Sequence, residues 1–80
     1  MPWRVEIQVP VANQFQIQKQ LGAIREMNPL HEAAGGAMRT FTLTVSDEDA
    51  EAAIGEYALR RLTEAVDTDG PGTVFGVTAE

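Results

Sequence analysis

Two stretches of this chain alternate apolar and polar residues one by one. Trp3, Val5, Ile7 and Val9 alternate with Arg4, Glu6 and Gln8, and Phe41, Leu43 and Val45 alternate with Thr40, Thr42 and Thr44. A period of two sends successive side chains to opposite faces, so each stretch predicts a strand with one face on a core and the other in water. Strands of that kind build a sheet covered on one side only. Each is followed by a polar cap and helical spacing, so the chain reads as two strand-to-helix modules.

The first helix is expected over residues 13–27. Ile17, Leu21 and Ile24 form an i, i+4, i+7 stripe, Asn13 caps the start with Gln16 three residues on, and Asn28-Pro29 stops it. Phe15 and Ile17 also alternate with Gln14, Gln16 and Gln18, which would suit a strand, but the helical stripe outweighs that pattern. Ser46 caps the second helix, with Asp47, Glu48 and Asp49 at the positive end of its dipole. That helix is expected to run to about Val66, with Ala50, Ala53, Ile54, Tyr57, Ala58, Leu62 and Ala65 as its apolar stripe. Asp67–Gly72 is a turn, and Val74, Phe75 and Val77 form the last strand.

Leu30–Ala37 is open between a helical turn and a short strand, with Gly35-Gly36 as a turn signal. The order is therefore β-α-(β)-β-α-β, the bracketed strand undecided. If Leu30–Ala34 folds back on Met38–Val45, the result is an α+β fold of the ferredoxin-like, α/β plait type. Its sheet is antiparallel, with two helices on one face. The expected core is Val5, Ile7, Leu21, Ile24, Phe41, Leu43, Val45, Ile54, Tyr57, Leu62, Phe75 and Val77.

Eighty residues, 44% of them apolar, make one domain spanning 1–80 with one modest core. Cysteine is absent, so neither disulfides nor thiolate metal sites are expected. Met1-Pro2 leads straight into the first strand without a leader-like apolar run, and cytoplasmic residence is expected. The net charge is −6 and uneven. Residues 1–40 hold four cations against three acids, +1, and residues 41–80 hold two cations against nine acids, −7. Such a chain repels phosphate backbones and anionic lipid, so neither nucleic acid nor membrane is an expected partner. A basic protein partner fits.

The catalytic inventory is thin. His31 is the single histidine, and Ser46, the single serine, is a cap. No glycine-rich turn leads from a strand to a helix with a following lysine, so no phosphate loop is present. Asp67–Gly72 has acids at positions one and three of a calcium-loop pattern. Pro71 stands at position five, however, and Thr78 at position twelve, where a bidentate glutamate belongs. No cofactor or metal is expected. The open face, with Arg4, Glu6, Gln8, Thr40, Thr42 and Thr44, lacks the aromatics on which RNA bases stack. Trp3 suits the edge of the core or a protein interface. Gln14, Gln16, Gln18 and Gln20 give the first helix an uncharged polar side.

The expected function is a small non-enzymatic interaction or assembly module, a homodimer or the partner of another protein, using the sheet edge or open face. Acidic accessory or inhibitor proteins of the kind phages and mobile elements encode belong to this class. Asp47, Glu48, Glu51 and Trp3 are the candidate contact residues. The alternative is a small dimeric plait protein that binds or transforms a small molecule without a cofactor, with His31, Trp3, Tyr57 and Arg39 as its candidates.

Overall fold

The computed structural model describes residues 2–46 and 51–80, and the side chains of 51 and 52 are not among those described. Strand β1 (Trp3–Pro10) leads into a helical passage made of a 3-10 turn (Gln14–Gln16), a single α-turn α1 (Ile17–Gln20) and a second 3-10 stretch (Leu21–Met27). Strands β2 (Leu30–Ala33) and β3 (Met38–Val45), helix α2 (Glu51–Ala65) and strand β4 (Thr73–Ala79) follow. The fold is α+β. Its four strands form one antiparallel sheet in the order β2-β3-β1-β4.

The strand left open by the sequence is present. β2 pairs with β3 from Leu30↔Thr42 to Ala33↔Arg39. Gly35 and Gly36 take φ of 105° and 57°, where a Cβ is penalised, and the Met38 N–H donates to the Gly35 carbonyl at 2.9 Å to close the turn. Alternation sorts the other strands as expected. Val5, Ile7 and Val9 of β1 and Phe41, Leu43 and Val45 of β3 are buried. They share one core with Ile17, Leu21, Ile24 and Met27 of the first passage and Ile54, Ala58, Leu62 and Val66 at α2. Both helical passages therefore cover the same face.

The first passage departs from the continuous helix expected over 13–27. Asn13 caps it, its side-chain oxygen accepting from the Phe15 N–H at 3.1 Å. Ile24 then leaves helical geometry (φ −122°, ψ 35°) and Asn28 ends the passage in the left-handed region (φ 49°). Leu21, Ile24 and Met27 explain the tightening. They recur every third residue, and only a helix of three residues per turn stacks such a row on one face. All three are buried.

The expected core needs three corrections, all at its periphery. Phe75 is 51% exposed, because a β-bulge shifts the β1–β4 register between Glu6 and Ile7, so that Val74 instead of Phe75 stands opposite Ile7. Val77 is half-buried on the edge strand. Tyr57 is half-buried at the shoulder of α2, where its hydroxyl accepts a hydrogen bond from Arg61 Nη1 at 2.7 Å. The core also takes Val9, Val11, Ile17, Met27, Ala58 and Val66. Ala53, placed on the apolar stripe by spacing, is exposed. The Ser46–Asp49 cap and Ala50 involve residues outside those described.

Candidate interaction surface

The register assembles the open face strand by strand. Arg4 stands opposite Thr44, Glu6 opposite Thr42 and Gln8 opposite Thr40. On its other side β1 aligns the same three residues with Thr78, Gly76 and Thr73 of β4. β2 adds Leu30 beside Thr42 and Glu32 beside Thr40. No residue of this face is buried, whereas the covered face holds every buried strand residue. One cross-strand row runs Leu30, Thr42, Glu6, Gly76. The Glu6 side chain leans over Gly76, its Oε1 lying 3.0 Å from where a Cβ would stand there.

Two large exposed apolar side chains lie on the two edge strands of this sheet. Leu30 is 62% exposed on the β2 edge. Phe75, next to Gly76, lies at the β4 edge, and it is Val74 and Val77, not Phe75, that pack on the core. Sequence reasoning missed both. The signal for Phe75 was present: a glycine inside a strand, here Gly76, is a common mark of a bulge. Phe15, the third exposed large apolar residue, sits in the first 3-10 turn.

A polar cluster lies where β2 and β3 meet the first helical passage on the covered side. Arg39 follows the β3 alternation and faces the same way as Phe41. Its Nη2 donates to His31 Nδ1 at 2.9 Å and its Nη1 to Gln14 Oε1 at 3.3 Å. A guanidinium only donates, so Nδ1 must present its lone pair. The ring proton then sits on Nε2 and is donated to Gln18 Oε1 at 3.3 Å. The imidazole also stacks on Phe41, with ring centroids 6.0 Å apart. Burial first, and then the Arg39 charge, hold the His31 pKa below the usual histidine value. His31 is thus held neutral with its basic nitrogen occupied, a poor arrangement for a general base. Among the described residues Arg39 Nε is buried without a hydrogen-bond partner.

The four residues of the small-molecule alternative do not converge. His31 and Arg39 touch. Trp3 is half-buried against the core at the far end of β1, opposite Val45 and Ala79. Tyr57 belongs to a third group, in which Arg61 bridges its hydroxyl and Glu26, Nη2 donating to Glu26 Oε1 at 2.7 Å. Backbone hydrogen bonding, followed by the Arg61 contact, lowers the Glu26 pKa. The Arg60 and Arg61 guanidinium carbons lie 5.5 and 5.7 Å from the Tyr57 ring centre.

Among the candidate contact residues, Asp47 and Glu48 lie outside the described residues. Glu51 opens α2, its side chain likewise not described. The Asp67–Gly72 turn ties loops together. Gln20 and Asp67 exchange two hydrogen bonds of 3.3 Å, and the Asp69 N–H donates to the Pro10 carbonyl at 2.9 Å. Among the described residues no helix is long and apolar enough to cross a membrane. Comparison with family models, curated proteins and solved structures finds no match.

Proposed function

We propose that this chain is a small non-enzymatic interaction or assembly module, cytoplasmic, that works through the open face of its sheet. The strand order and the two helical passages on one face support a ferredoxin-like plait as the architecture behind it. The observation that carries the functional reading is a sheet face on which no residue is buried, with the exposed Leu30 on one edge strand of that sheet and the exposed Phe75 on the other. Single exposed apolar residues are ordinary, but two on the opposite edge strands of one sheet bracket a surface. The occupied Nδ1 of His31 supports the non-enzymatic half of the reading.

The test is recovery of bound protein after cross-linking in the source cell, comparing the wild-type chain with Leu30→Glu and Thr42→Lys. Both changes lie on exposed or half-exposed positions of the open face and leave the core intact. The expected result is loss of the bound species, whether a second copy or another protein. Full retention by both variants would move the interaction elsewhere. The small-molecule alternative has one observation behind it, the His31–Arg39 contact beside a cleft lined by Gln14 and Phe15. That reading requires His31→Ala to abolish the biological activity with the fold preserved.

A further inference from the structure

We infer that neutral His31 is a latch that holds strand β2, and with it Leu30, on the body of the protein, and that protonation of the ring releases the strand. β2 has little else to hold it. It is four residues long, lies at the edge of the sheet and pairs with β3 alone, whereas β1 and β3 are paired on both sides. Leu30, Glu32 and Ala33 are exposed, so His31 is the one β2 side chain that is even partly buried. An edge strand with few buried contacts belongs to the part of a fold that opens first.

The latch consists of three contacts. The register sets His31 opposite Phe41, and the two rings stack. Nδ1 accepts from Arg39 Nη2 at 2.9 Å, which joins β2 to β3 through side chains as well as backbone. Nε2 donates to Gln18 Oε1 at 3.3 Å, which joins β2 to the first helical passage. Arg39 extends the network to Gln14, whose Nε2 donates to the Gly36 carbonyl at 3.5 Å in the hairpin turn. One imidazole therefore ties the edge strand to its neighbour and to the helical layer.

The ring does this only while it is neutral. A proton on Nδ1 turns the acceptor into a donor aimed at a guanidinium that can only donate. It also sets two cations at hydrogen-bond distance. β3 brings Arg39 to the ring, and the helical passage brings Gln14 and Gln18, which carry no charge. Glu32, next along β2, lies on the opposite face by alternation. Among the described residues neither His31 nor Arg39 forms an ion pair with a carboxylate; the ion pair there is Arg61–Glu26. Gln18 can still accept from Nε2, but no acid offsets the repulsion. The charged ring is relieved by turning out to water, and the only partly buried side chain of β2 leaves with it. Burial and the Arg39 charge, which hold the His31 pKa below its usual value, express the same preference from the proton's side. The latch is closed above the ordinary histidine value of about 6.5 and opens as pH falls from there. It does not depend on what occupies the open face. If that face is the working surface, acid withdraws Leu30 and Glu32 from it.

Amide hydrogen exchange tests the latch, with protection factors corrected for the intrinsic pH dependence of exchange. The wild-type chain is compared at about pH 8 and about pH 5, on either side of the ordinary histidine value. The hydrogen-bonded amides of β2 are expected to lose protection several-fold at the lower pH, while those of Val5–Val9 in β1 keep theirs. His31→Gln, which cannot take up the proton, and Arg39→Gln, which removes the opposing charge, are expected to abolish that difference. Each changes a side chain outside the buried core, and either one suffices for the test. Equal β2 protection at both pH values overturns the latch. A loss shared equally by β1 overturns it as well, because the whole domain is then weakened and no single strand is released. The same loss in both variants overturns His31 as the group responsible. None of these readouts involves a bound partner, so the latch and the open-face reading fail separately.

Discussion

The two faces of the sheet are written by the same strands in alternate residues, yet they are chemically opposite. The covered face is apolar through its centre, with Phe41, Ile7, Leu43 and Val5 fully buried. It becomes polar only at the β2 corner, where Arg39 and His31 meet the glutamines. The open face is threonine and charge through its centre, with Leu30 at one edge and Phe75 exposed on the opposite edge strand. A stability surface concentrates apolar area in the middle. The sheet as a whole leaves large apolar side chains exposed only on its two edge strands. The difference separates what folds the chain from what the chain presents.

The sharpest way to break that comparison is to truncate one residue from each face of the same strand. Phe41→Ala is expected to cost about 3–5 kcal/mol, enough to unfold most of a domain this small, while Thr42→Ala costs within about 0.5 kcal/mol. Thermal and urea melts of the two variants check this. Equal losses would mean that the faces do not divide as described.

The bulge sharpens the comparison within β4. Val74→Ala is expected to cost about 1–2 kcal/mol and Phe75→Ala less, the reverse of what side-chain size suggests. Chemical denaturation of the pair decides it. A larger loss for Phe75→Ala would restore the unbulged alternation.

His31 tests the polar corner by pH. Its pKa is lowered in the folded chain, so as pH falls the unfolded chain takes up the proton first. Stability is then full above the ordinary histidine value of about 6.5 and declines as pH drops from there toward the folded value. Melting temperatures between pH 8 and 5 are expected to fall more steeply for the wild type than for His31→Gln, which cannot take up that proton. Parallel curves would remove the Arg39 contact from the account.

The smallest effect concerns the acidic segment. Neutralising Asp47, Glu48 and Glu51 together is expected to leave the interaction unchanged and nearly indifferent to salt, because the proposed contacts lie on the sheet. A basic partner bound there would instead associate more slowly after neutralisation and at high salt. Sedimentation and stopped-flow binding at two salt concentrations distinguish the two.

The alternation in residues 3–9 and 40–45 by itself determined two strands, which face of each is buried, and the polar open face with Arg4, Glu6, Gln8 and the threonines. It also determined a one-sided sheet, because side-chain direction in a strand is a local, period-two property. Much of the α2 stripe was legible for the same local reason. Other features depend on which strands pair and in what register, and only the tertiary structure decided them. Leu30–Ala33 is a strand because Gly35 and Gly36 turn it back onto β3, and its four residues carry no pattern of their own. Phe75 leaves the core because β1 and β4 slip by one residue at Glu6. The helical passage breaks at Ile24 because three side chains must reach one core. His31 and Arg39, eight residues apart, meet because the hairpin aligns their ends of β2 and β3 beneath the glutamines. Leu30 and Gly76, forty-six residues apart, share one row for the same reason: a sheet ranks residues by pairing, and pairing is not written at any single position.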